Sequence, residues 1–169
     1  MTATPPFVDF LNERRPENEK ILVALRFYVS ELTDDKLPRE LREEMDASID
    51  GSHTLDTPLR ELERDRECQV QGALAFFSDR WEDPGERDRI IRAFDGAATK
   101  LPVIEAGLIA MSSMYAMYLL ATGGRKKSTS AIEHRADGSF VEKKTEEWFE
   151  PTGPLQAIVA LFTGRAARK

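Results

Sequence analysis

Cys68, His53 and His134 are the residues of this chain with the readiest chemistry. A thiol beside an imidazole becomes a nucleophile near neutral pH, because the imidazole takes its proton or, once charged, stabilises the thiolate. The pattern around them does not build that pair. Cys68 follows the charged run Arg60 to Glu67, with no strained turn or glycine-rich oxyanion loop beside it, so it reads as a part-buried bystander. His134, next to Arg135 in a strand-like stretch, reads as a surface residue. Glu105, inside an apolar run, could be a desolvated general acid or base. Three positions after Pro102, however, it also fits the first turn of a helix, where the positive end of the dipole favours a carboxylate.

One cysteine and two histidines give no zinc or haem-attachment spacing, and a carboxylate-only metal site has no supporting pattern. GxGxxG, GxxxxGK[ST], GxSxG and HExxH are all missing from the sequence. No catalytic, cofactor or metal residue is therefore assigned. An enzyme using carboxylates, with Cys68 or His134, stands as one alternative.

The residues that remain are those suited to contact. Met111, Met114 and Met117 would give one helix an adaptable apolar side, with the small residues Ala106, Ala110 and Ser113 allowing close approach elsewhere on it. Arg125, Lys126 and Lys127 form a basic cluster, and Trp81 and Trp148 are candidate aromatic anchors as well as candidate core plugs. The expected interaction set is Met111, Met114, Met117, Arg125, Lys126, Lys127 and Trp148.

Positioning these residues falls to a series of helices. Thr4 and Pro5 suggest the start of a short helix with Phe7, Phe10 and Leu11 inward. Ile21, Leu25, Tyr28 and Leu32 recur at helical spacing over 17–32, and Leu41, Met45 and Ile49 do so after Pro38, up to Gly51. Thr57 and Pro58 open what reads as one long helix, with Leu59, Leu62, Val70, Leu74, Phe77 and Trp81 in a stripe interrupted by Arg66. Asp83-Pro84-Gly85-Glu86 has the form of a capping box, starting a helix that should stop at Gly96. The most apolar stretch, 101–122, should be the central helix, ended by Gly123-Gly124.

Beyond it the period changes. Ser128 to Arg135 and Phe140 to Phe149 flank Asp137-Gly138, a hairpin signal, and a last helix follows Pro154 with Leu155, Ile158, Val159 and Phe162 on one face. A ribbon so rich in Ser, Thr, Glu and Lys must pack on helices through Ile132, Phe140, Val141 and Trp148, or lend its edge to a partner strand. The expected fold is mainly helical α+β: six or seven helices around helix 101–122, one C-terminal β-hairpin at about 128–149, and a final helix, in a single domain over 1–169.

A chain of 169 residues with 41% hydrophobic and 32% charged residues can bury a core and solvate its surface. Its net charge of -6 argues against nucleic acid as a partner. Residues 1–123 carry 15 Lys and Arg against 24 Asp and Glu, whereas 124–169 carry 9 against 6, so the two parts attract. The N-terminus has no signal-peptide pattern, which points to the cytoplasm. These observations favour a non-enzymatic protein-interaction module (an adaptor, regulator or inhibitor) that binds a protein partner or itself and needs no cofactor. A second alternative is a membrane tether through 101–122, opposed by Glu105, Ser112 and Ser113 within that run.

Overall fold

The computed structural model describes residues 5–49, 55–99, 106–122 and 130–144, together with Ile158 and Phe162. Over these residues the protein is mainly helical α+β: seven helices and one two-stranded antiparallel hairpin. The helices are α1 (Phe7–Arg14), α2 (Asn18–Leu32), α3 (Pro38–Ala47), α4 (Asp56–Glu63), α5 (Arg66–Arg80), α6 (Pro84–Thr99) and α7 (Ala106–Thr122). The strands are β1 (Ser130–His134) and β2 (Phe140–Lys144).

α2 is the hub, packing against α5, α6 and α7, while α7 also meets α3, α4 and α5. The sequence explains that role: Ile21 to Leu25, Tyr28 and Val29 are all buried, so α2 is apolar around most of its girth. The apolar stretch expected to be central forms α7, whose Ile109 to Met117 are buried without a break. Ser113 is accommodated there by donating its hydroxyl to the Ile109 carbonyl at 3.0 Å. Among the described residues no helix is long and apolar enough to cross a membrane.

Four local expectations are corrected. α1 begins at Phe7 with Pro6 as its N-cap, not at Thr4-Pro5. The single long helix expected from Thr57 to Trp81 is two helices. Asp65 breaks it by capping α5, its carboxylate accepting the Cys68 N–H at 3.0 Å, while Arg66 turns out to pair with Glu19 at 2.5 Å. α3 ends at Ala47, short of Ile49, and Gly51 lies outside the described residues. Gly96 does not stop α6, which runs on to Thr99; a Cβ at Gly96 would lie 3.3 Å from the Phe27 ring, so the glycine permits close approach of α2.

At the start of α6, Asp83 caps as expected, accepting from the Gly85 N–H at 2.9 Å. Glu86 does not complete the box. Its carboxylate instead accepts the buried Tyr28 hydroxyl and the Arg89 guanidinium, tying α6 to α2. Burial, reinforced by Glu86, pushes the Tyr28 phenol well above its ordinary range.

The hairpin lies on the helical body, β1 against α5 and β2 against α1. Gly138 holds φ +89°, and Arg135 bonds both ends of the turn: its N–H donates to Ser139 O at 2.8 Å and its carbonyl accepts from the Gly138 N–H at 3.0 Å. That is a three-residue loop with glycine in the left-handed position. His134 faces Phe140 and Ile132 faces Glu142 across the strands. Ile132 and Phe140 are buried, as the sequence suggests, while Val141 is half-buried on the opposite face. Trp148, Phe149 and the outer parts of both expected strands lie outside the described residues. So does most of the last helix, of which Ile158 and Phe162 are helical and buried, Phe162 edge-on to Tyr118 with ring centroids 5.1 Å apart.

Candidate functional site

The site with the most unusual geometry is the junction between the hairpin and the corner joining α1 to α2. Two asparagines flank that corner and grip one rung of the hairpin. Asn12 acts on the backbone of Phe140, accepting its N–H at 2.8 Å and donating to its carbonyl at 3.0 Å, as a neighbouring strand residue would. Asn18 acts on the side chain opposite, its Oδ1 lying 2.7 Å from His134 Nδ1. With that acceptor the imidazole proton sits on Nδ1 and Nε2 is left basic. The His134 ring lies flat on the Phe140 ring, centroids 4.2 Å apart and planes within 4°.

The corner itself is strained. Arg15 occupies the left-handed region at φ 47°, ψ 55°, immediately before Pro16, a position where an ordinary residue is pushed to extended geometry. It closes α1 by donating its N–H to Leu11 O at 2.7 Å. An open groove of about 530 Å3 runs alongside, lined by Arg15, Pro16, Glu17, Asn18, Glu67, His134, Arg135, Ala136 and Gly138. Two arginines and two glutamates thus share its walls, so it has no net preference for anions.

The electrostatics follow from burial and local hydrogen bonds. Contact with the hairpin's apolar face holds His134 below the ordinary histidine value of 6.5, with Asp137 pulling weakly the other way. The Asp137 carboxyl is held below its usual range chiefly by hydrogen bonds from the Ser139 hydroxyl and N–H, at 2.6 and 2.9 Å.

The hydrogen-bond alternation of the ladder decides which backbone groups face outward. The Arg135–Ser139 bond and the Asn12 clasp both make His134–Phe140 a non-hydrogen-bonded pair. Ile132–Glu142 and Ser130–Lys144 share that phase. On β2, Phe140, Glu142 and Lys144 therefore turn their N–H and C=O groups away from β1. Asn12 satisfies the first of these; among the described residues no backbone group pairs with the next two.

The residues singled out from sequence are scattered relative to this site. Met111, Met114 and Met117 are buried in the chain's own core, so their apolar sides are spent internally. Trp81 is likewise a core plug, packed on Phe7 and Phe10 with its indole N–H donated to Pro5 O at 2.8 Å. Cys68 is buried at the start of α5, and His134 holds Asn18 through Nδ1. His53, Glu105, Arg125, Lys126, Lys127 and Trp148 lie outside the described residues. Among the described residues no group of three His, Cys, Asp or Glu side chains could hold a metal ion.

Asn12 and Asn18 were not foreseen, and neither carries a local signal: each is one polar residue on an amphipathic helix until its partner more than 100 positions away is known. Comparison with known proteins adds no relative, since no family model, curated protein or solved structure matches the chain.

Proposed function

We propose that the protein is an interaction module that captures an extended segment of a partner protein on the outer edge of β2. The observation that supports this reading is the Asn12 clasp. The protein itself fills one outward position of β2 with a strand-like pair of hydrogen bonds and offers the same pattern, unfilled among the described residues, at Glu142 and Lys144. Recognition through backbone groups needs no nucleophile, metal or cofactor, in keeping with the scattered placement of the titratable residues. Native edges are often blunted by charge, and Glu142, half-buried on this strand, restricts which segments can approach.

The decisive variant is Glu142→Pro. Glu142 stands opposite Ile132 at a non-hydrogen-bonded position, so proline there removes an outward N–H and no rung of the ladder. Peptides selected from a displayed library of extended sequences should lose at least tenfold in affinity for Glu142→Pro, while circular dichroism and unfolding midpoint stay near those of the parent chain. Binders indifferent to the variant would place recognition elsewhere. Light scattering at low and high salt separates a foreign partner from a second copy, which is the other occupant the edge could accept.

A further inference from the structure

We propose that β2 pairs with β2 of a second copy of this chain, antiparallel about a twofold axis through Lys143, so that Glu142 of each copy stands opposite Lys144 of the other. Resting on the open-edge reading above, this pairing names the occupant of that edge. The phase of the hairpin ladder turns the backbone groups of Phe140, Glu142 and Lys144 outward, so an antiparallel copy bonds to these positions through its own outward residues and through no others. Asn12 already fills the Phe140 rung in each copy. Among the described residues, one register alone then joins free rung to free rung at both positions: Glu142 against Lys144 and Lys144 against Glu142. A shift of two residues one way sets Glu142 against Glu142 and drives Lys144 onto the rung that Asn12 occupies. The opposite shift sets Lys144 against Lys144. A parallel copy aligned residue for residue also sets glutamate beside glutamate and lysine beside lysine.

The register fixed by the clasp is thus the one in which charges are complementary, and opposite charges directly across a ladder favour pairing where like charges oppose it. Both copies use the same surface, so the contact closes as a dimer and does not propagate. By stopping the ladder after two rungs, Asn12 also guards the edge against indiscriminate extension. Lys143 meets its own copy at the axis, and that like-charge pair keeps the association weak.

The axis makes position 143 a selective reporter. Its two Cα atoms would lie about 4.5 Å apart, as in any non-hydrogen-bonded antiparallel pair, within the roughly 4.4–6.8 Å that a disulfide spans. The two Val141 Cα atoms would be roughly 14 Å apart, four residues at about 3.4 Å each. Cys68, the chain's one cysteine, is buried. On oxidation with diamide, Lys143→Cys should give at least about tenfold more disulfide-linked dimer than Val141→Cys or the parent chain, and adding Glu142→Pro should abolish it. Sedimentation supplies a test without new thiols. Glu142→Lys and Lys144→Glu should each associate less than the parent, while their mixture, which restores both opposite-charge pairs, should associate more than either alone. Lys143→Thr should tighten self-association by roughly twofold to fivefold. Equal cross-linking at positions 141 and 143, cross-linking that survives Glu142→Pro, or a mixture no more associated than its components overturns the dimer. If the Lys143→Cys chain stays monomeric while library peptides still lose affinity for Glu142→Pro, the dimer falls and the edge serves a foreign segment. Peptides indifferent to Glu142→Pro remove the edge and the dimer together.

Discussion

Asn12 shows how much a single amide can carry at this junction. Its side chain satisfies both backbone groups of Phe140, a residue only 2% exposed, and alanine there would strand an N–H and a C=O next to apolar surface. Asn12→Ala should lower stability by about 1–3 kcal/mol in urea unfolding, and Asn12→Asp should not rescue it, because a carboxylate cannot donate to the Phe140 carbonyl. Tyr28→Phe is the milder counterpart. Glu86 keeps Arg89 at 3.1 Å when the phenol is gone, so the expected cost is about 1 kcal/mol. His134 adds a pH dependence whose sign is fixed. Its folded pKa lies below 6.5, so the unfolded chain binds the extra proton first as pH falls. Stability is therefore whole above pH 6.5 and declines as pH drops through and below that value, a trend that His134→Gln should remove from unfolding midpoints.

At the scale of elements, the outcome depends on whether a residue's meaning is local. Pro38 opening α3, Asp83-Pro84 opening α6 and Gly138 turning the hairpin were all legible, because a cap or a turn is decided within about four residues. The break between α4 and α5 was not. Leu59, Leu62 and Val70 keep a helical stripe through it, and Asp65 looks like one more charge in a charged run until its carboxylate is seen on the Cys68 N–H. Asp65→Ala should cost about 0.5–2 kcal/mol, measured by thermal unfolding, whereas a residue in mid-helix would cost nothing on losing its carboxylate. Gly96 is the same lesson in reverse. A glycine late in a helical pattern reads equally as a stop or as a contact, and only Phe27, brought near by tertiary packing, decides between them. Gly96→Leu should destabilise by about 1–3 kcal/mol through overpacking. Gly96→Ala stays near neutral because the half-buried Phe27 ring can yield by a few tenths of an ångström while helix propensity improves.

Over the whole molecule, the buried residues of α1 to α7 and the hairpin's Ile132 and Phe140 belong to one hydrophobic cluster. The core was thus readable from periodicity, but the clasp was not, because Asn12 and Phe140 are 128 positions apart and an amide gives no hint of a strand partner at that distance. The same architecture makes the hairpin the weak end of a cooperative structure. α2 contacts three helices and buries seven side chains, whereas among the described residues the strands lend two buried side chains, Ile132 and Phe140, and a few polar ties to that core. Global unfolding should therefore appear as one transition by both circular dichroism and tryptophan fluorescence, and Met114→Ala, in the fully buried middle of α7, should shift it by about 2–5 kcal/mol. Hydrogen exchange should nevertheless resolve two levels, with hairpin amides opening at lower free energy than those of α2 and α7. Met114→Ala should lower the global level and leave the hairpin level in place, while Asn12→Ala should lower the hairpin level first. If both variants move both levels equally, the hairpin is not a separate opening unit, and an edge presented by a loosely docked ribbon loses its physical basis.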